Sequence, residues 1–136
     1  MVFVIKARVS NPLAAIFEFT AQKTMYGGKC IAKGDTIFIF DSENQGGRGL
    51  VAVGIVTSAK STPKKRGEAR QTPRVTIAVR GTGLAKRRFG RGEIRRFCNW
   101  TDERPETELN FKFYRQATNK IGGVSDETAA FLRTFF

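Results

Sequence analysis

The 136-residue chain contains no histidine. That absence removes Ser-His-Asp and Cys-His catalytic sets, the histidine general base and the common Cys/His zinc sites. Any catalysis by this chain would rest on Lys, Tyr, Arg, Asp or Glu. Cysteine is nearly absent as well: Cys30 and Cys98 stand far apart without Cys neighbours and read as free thiols, small residues expected to be buried or half-buried. No metal and no cofactor is expected. No apolar run approaches the ~20 residues that cross a bilayer. The start, MVFVIKARVS, lacks the basic leader and long hydrophobic stretch of a signal peptide. The expectation is no membrane partner and a cytoplasmic location by default.

Negative charge is also scarce, with 12 Asp and Glu against 24 Lys and Arg. The excess is local. Thirteen of the 24 bases lie between Lys60 and Arg96 alongside only Glu68 and Glu93, so this segment holds +11 of the formal +12. A concentrated block makes a directional field that attracts a polyanion, which makes nucleic acid, RNA or DNA, the leading partner class. The alternative is a solvated basic loop without a specific ligand.

What remains is enough for one domain spanning residues 1–136, because a 40% apolar content with twelve Phe can supply one aromatic-rich core. Val2 to Val9 reads as a first strand. Ser10-Asn11-Pro12 reads as a helix entrance, with Leu13, Ile16, Phe17 and Thr20 at helical spacing and a stop near Tyr26-Gly27-Gly28. After the Lys33-Gly34-Asp35 turn, Thr36 to Phe40 is an apolar strand buried on both faces. A polar loop from Asp41 to Gly49 leads to an antiparallel return strand, Leu50 to Val56, in which Gly54 marks a bulge or the close approach of another backbone.

A basic linker, Lys60 to Arg70, should project from the fold. Arg74 to Arg80 alternates, Val75, Ile77 and Val79 facing in. Leu84 to Phe97 is either a short helix or a broken strand. Leu109, Phe111 and Phe113 alternate as a strand, and Ser125 caps a closing helix whose inner stripe is Ala129, Leu132, Phe135 and Phe136. The fold class is α+β: a small mixed β-barrel of about five to six strands, with a helix after strand 1 and a C-terminal helix.

The turn and strand from Lys33 to Phe40, the loop beginning Asp41-Ser42-Glu43, the return strand with its internal glycine and the helix after Val124-Ser125 resemble the PUA-like barrel superfamily, most closely its EVE-type domains. The resemblance departs at two points: Trp100 is the only tryptophan, where EVE domains often carry early ones, and the Lys60 to Arg70 insertion is unusually basic. It implies recognition of RNA, or of a modified base in DNA or RNA, by a flipped-base pocket at the end of the Gly-Asp strand, which puts Ser42 and Glu43 at the rim.

Trp100 and Tyr26 are the candidate stacking rings, and Arg115, Gln116 and Asn119 the candidate edge donors or phosphate contacts. Each has a structural alternative: Trp100 as a core residue, Tyr26 as a closer of the helix, Ser42 and Glu43 as turn-holding groups, and the 115–119 run as partners of buried backbone. Lys64, Lys65, Arg66, Arg87, Arg88, Arg91, Arg95 and Arg96 are candidate phosphate contacts. Three functions compete: a nucleic-acid-binding module reading a modified base, a small nuclease or hydrolase using Lys, Tyr, Arg and Glu, and a protein-interaction module whose basic face adheres to RNA.

Overall fold

A computed structural model describes residues 1–68 and 71–136. Ala69 and Arg70, the end of the expected basic linker, lie outside the described residues. Six strands, β1 (Val2–Ala7), β2 (Ile16–Met25), β3 (Thr36–Asp41), β4 (Gly49–Ser61), β5 (Arg74–Leu84) and β6 (Lys120–Gly123), close into a barrel in the order β1-β3-β4-β5-β2-β6. Three helices accompany them: α1 (Arg91–Ile94), α2 (Pro105–Leu109), which continues as a π-helical turn over Asn110–Tyr114, and α3 (Asp126–Arg133).

The α+β barrel expected from sequence is the observed architecture, and the composition of its strands follows from where their faces go. β1 and β3 pair in parallel, and both are apolar at successive positions because each packs on two sides. Phe3, Ile5, Ile37 and Ile39 fill the barrel with Phe17, Phe19, Val75, Ile77 and Val79. Val4, Phe38 and Phe40 point the other way, into a second core with Leu109, Phe113, Ala129, Leu132 and Phe135 from the helices. Of the expected inner stripe, Ala129 and Leu132 on α3 and Phe135 just past it are buried there while Phe136 is partly buried, and Ser125 caps the helix, its Oγ accepting from the Thr128 amide at 3.2 Å. Gly54 is a site of close approach: a Cβ there would lie 2.6 Å from the Arg80 carbonyl oxygen.

Three local expectations are corrected. The helix after strand 1 is the strand β2. Asn11 does accept a bond from the Leu13 amide at 3.0 Å, but the turn it makes ends at once. Phe17 and Phe19, two apart, face the barrel interior, and β2 is the strand that links β5 to β6. Barrel closure thus overrides a spacing that also fits a helix. Conversely, Leu109, Phe111 and Phe113 lie on α2 and its π-helical turn. Pro105 occupies the first turn, Leu109 and Phe113 are a buried i, i+4 pair, and Phe111 is exposed. Cys30 and Cys98 are free, as read, but exposed rather than buried. Within Leu84 to Phe97 the helical alternative holds only for the single turn α1. Among the described residues no helix is long and apolar enough to cross a membrane.

β6 closes the barrel and carries an unusual pair. Lys6 and Lys120 are cross-strand partners in the β1–β6 ladder, and each is only 1% exposed. Lys6 Nζ donates to the Phe113 carbonyl at 2.7 Å and Lys120 Nζ to the Lys112 carbonyl at 2.8 Å. Burial, then the neighbouring Lys120 charge, lowers the Lys6 pKa to about 8. Lys120 is lowered too, by burial and then by Arg115 and Lys23.

A lysine with a depressed folded pKa binds fewer protons in the native state than in the unfolded chain. Its cost is therefore fully present below about pH 8 and is relieved as pH rises toward the ordinary value of 10.5. Urea unfolding midpoints across that interval should rise more in the parent than in Lys6→Met. Parallel curves for the two proteins would remove Lys6 as the source.

Candidate nucleic-acid interface

The residues singled out from sequence fall into two neighbourhoods rather than one pocket. The first is a polar groove of about 490 Å³ between the bulged middle of β2, the loop after β3 and the segment before β6. Asn119 lines it together with Asn44, Gln45, Lys23 and Arg74. Asn119 Nδ2 donates to Gln45 Oε1 at 3.2 Å, while Asn119 Oδ1 is buried without a partner among the described residues. Asn44 Nδ2 donates to the Ala117 carbonyl at 2.9 Å, and Asn44 Oδ1 accepts from the Arg91 guanidinium. Arg74 reaches across to the Ala21 carbonyl at 2.8 Å, at the point where β2 bulges and Ala21 adopts a φ of 49°.

Glu43 stands behind this wall. Its Oε1 accepts from Tyr114 Oη at 2.8 Å and its Oε2 from the Arg91 amide at 2.5 Å, so it ties the loop after β3 to the π-helical turn and to α1. Burial, then the Glu43 charge and hydrogen bond, pushes the Tyr114 phenol far above its ordinary pKa. The phenol is thereby held protonated as a donor, and the carboxylate and tyrosine form a clamp. Ser42 is 0% exposed: its carbonyl accepts from the Gln45 and Gly47 amides, and its Oγ is buried without a partner among the described residues. It lies under the loop, not on the groove rim.

The second neighbourhood is aromatic. Phe111 is flanked by Trp100 with ring centroids 5.6 Å apart and by Tyr26 at 6.4 Å, and the Arg115 guanidinium lies 4.0 Å over the Phe111 ring. Trp100 is 45% exposed and belongs to neither core. Tyr26 is half-buried with a φ of 53°, closing β2 ahead of Gly27. Gln116 is exposed on the segment between the two neighbourhoods. Lys23 lines the groove and Tyr26 meets Phe111, so three residues of extended chain, roughly 10 Å, separate the two surfaces.

The basic block disperses over the surface. Thr62 donates its amide to the Arg74 carbonyl at 2.8 Å, and Thr24 bonds the Pro73 carbonyl, so the segment carrying Lys64, Lys65 and Arg66 leaves and rejoins the barrel at the groove's edge. Arg91 borders the groove through Asn44. Arg88 lines a different concavity with Arg48 and Lys86. Arg87 is there too, but it also donates to the Thr134 carbonyl at 3.1 Å and stacks 4.3 Å over Phe135. Arg95 and Arg96 are exposed after α1. Sequence reasoning passed over Lys23, Asn44, Gln45 and Arg74. Asn44 and Gln45 carry a signal only as members of the polar loop after Phe40, while Lys23 and Arg74 are brought to the site by the β2–β5 register.

No protein-family model and no curated protein sequence matches the chain. Solved structures do. The DUF55 domain of human thymocyte nuclear protein 1 has a TM-score of 0.64 at 11% identity, over 98% of this chain and 97% of that one. The human THYN1 protein in complex with DNA containing 5-methylcytosine has a TM-score of 0.65 at 12% identity, over 98% and 95%. A protein from Pseudomonas syringae has a TM-score of 0.61 at 12% identity, over the full length of both chains. At these identities the likeness establishes the fold, a PUA-like barrel.

An exposed Trp100 packed edge-on to one ring should behave as a surface residue. Trp100→Ala is expected to cost ~0.5–1.5 kcal/mol, the scale of an aromatic pair, rather than the ~3–5 kcal/mol of an emptied core site. Chemical denaturation of the variant measures this directly, and a loss in the core range would return Trp100 to the interior.

Proposed function

We propose that this chain is a nucleic-acid-binding module of EVE-like character that reads a modified base turned out into the Asn44–Gln45–Asn119 groove. The observation that carries the reading is the orphaned Asn119 Oδ1 in the groove wall. A buried acceptor without a partner is costly, and a base edge bearing an N–H group would supply the missing donor. The Gln45 amide nitrogen beside it is free among the described residues to address an acceptor on the same edge. Lys23, Arg74 and Arg91 place positive charge around the groove, and the Lys64–Arg66 segment rises from its edge, a layout suited to a phosphate backbone on either side of the extruded nucleotide. A likeness in fold to a protein held in complex with 5-methylcytosine DNA supports the modified-base class.

Two separable responses test this. Affinity for oligonucleotides should fall steeply between 50 and 200 mM salt, by ~10³-fold or more where six or more phosphates are contacted. Replacing Lys64, Lys65 and Arg66 with Gln should flatten that dependence. Asn119→Ala should instead erase the preference for an oligonucleotide carrying 5-methylcytosine over its thymine counterpart, which keeps the methyl but presents a carbonyl where 5-methylcytosine presents its N–H group, at ~1–3 kcal/mol, and leave the salt slope as in the parent. An Asn119→Ala protein that keeps the parental preference would remove the groove as the reading site, and salt-independent binding would reject the electrostatic component.

A further inference from the structure

The concavity beside Trp100 differs in chemistry from the rest of this basic molecule. It encloses about 490 Å³ between the 100–104 loop, the exposed side of α2 and the start of α3. Two aromatic rings wall it, Trp100 and Phe111, set at 70° to one another and 45% and 37% exposed. Three carboxylates line it, Glu103, Glu108 and Glu127, against one guanidinium, Arg104, which lies 4.0 Å from Asp102.

Burial alone would raise the Glu108 carboxyl, but bonds from Lys112, Ser125 and Thr128 outweigh it and keep the group ionised; its charge is met by the Lys112 ammonium at 2.7 Å, so the uncompensated negative charge of the wall is that of Glu103 and Glu127. Glu103 and Glu127 are exposed and make no ion pair among the described residues. Thr107, 3% exposed, also lines the cavity, and its Oγ1 has no hydrogen bond of normal geometry, although its hydroxyl leads the groups that lower the Asp102 pKa.

We propose that this cavity receives a cationic side chain, lysine or arginine, from a basic segment of a partner protein. Aromatic faces attract cations through their quadrupoles, and flanking carboxylates add direct charge and hydrogen-bond acceptors. Rings here already work this way within the molecule: Arg115 stacks on Phe111, one of the cavity's own walls, at 4.0 Å, and Lys112 lies 5.4 Å over the adjoining Tyr26, so Trp100 is the cavity ring that carries no cation among the described residues. The same carboxylates repel phosphate, which separates this surface from the nucleic-acid groove and makes a polyanion a poor occupant. A chain of net charge +12 that carries an acid-lined aromatic cavity has charge complementarity for a cationic partner at that place and for an anionic one elsewhere.

Trp100 is the only tryptophan, so its emission reports on this cavity alone. The full chain is titrated with a capped Gly-Lys-Gly-Arg-Gly peptide, with the same peptide carrying Gln at both cationic positions, and with a single-stranded oligonucleotide. A saturable emission change is expected with the cationic peptide, weakened about tenfold or more in the neutral peptide and in the Glu103→Gln/Glu127→Gln double variant. Both substituted residues are exposed, so the variant should melt like the parent. The proposal is overturned by an equal response to the neutral peptide, by parental affinity in the double variant, by no saturable change at millimolar peptide, or by an oligonucleotide that shifts the emission and displaces the peptide.

Discussion

The barrel closes over two buried lysines, and the placement of both candidate surfaces follows from how their charges are accommodated. Lys6 and Lys120 face each other across the β1–β6 seam, where like charges directly opposite would ordinarily destabilise the ladder. Instead each ammonium takes a carbonyl at the end of the π-helical turn, Phe113 and Lys112, the groups a helix C-terminus leaves without partners. Ring faces add to this, with Lys6 Nζ 5.0 Å from the Tyr114 centroid and Lys120 Nζ 6.0 Å from that of Phe113. The same four atoms settle two problems at once: two buried charges and two orphan carbonyls. β6 is packed as tightly from the turn after β2, where a Cβ on Gly28 would sit 2.2 Å from the Ile121 carbonyl oxygen.

With the turn docked on the seam, its successive side chains are dealt to different places. Phe113 enters the outer core, Tyr114 reaches Glu43, Phe111 turns outward to Trp100 and Tyr26, and Arg115 folds back over Phe111. The segment that follows then delivers Ala117 and Asn119 to the groove. The groove wall is therefore assembled from rigid neighbours: Asn44 is held by Ala117 and Arg91, and Asn119 by Gln45. Asn119 and Gln45 each spend one amide group on the other, whereas Asn44 spends both on Ala117 and Arg91, so the proposed reading of a base edge falls to the first two.

Elements whose pattern is dictated by burial on a fixed face were legible in the sequence. β1 and β3 show unbroken apolar runs because they separate two cores, β5 alternates because only one face is buried, and α3 announces itself by the Ser125 cap and the acids that follow. β2 was not legible, because Ile16, Phe17 and Thr20 satisfy a helical period while Phe17 and Phe19 satisfy the strand period. Only the need to bridge β5 and β6 chooses between them. α2 failed in the opposite direction, its Leu109–Phe113 pair fitting i, i+4 as well as alternation. The groove was half legible for a similar reason. Asn119 and the loop after β3 lie in polar runs that stand out locally, whereas Lys23 and Arg74 become site residues only through the register that pairs them across β2 and β5.

The separation of charge completes the picture. In the sequence the acids from Asp102 to Glu108 look like a connector, and the bases from Lys60 to Arg96 like one continuous patch. Folding sorts both. Lys64, Lys65 and Arg66 are carried by a hairpin anchored at Arg74, Arg91 is brought to the groove by its bond to Asn44, and Arg87 is diverted to the end of α3. Glu103 and Glu108 meet Glu127 around Trp100. On the proposed function, a polyanion drawn in by the net positive field would meet a gradient across the surface, one that orients it with its phosphates toward the groove and away from the aromatic cavity. Orientation of this kind would limit which nucleotide can turn into the groove before any base edge is read, so the charge layout would contribute to selectivity as well as to attraction.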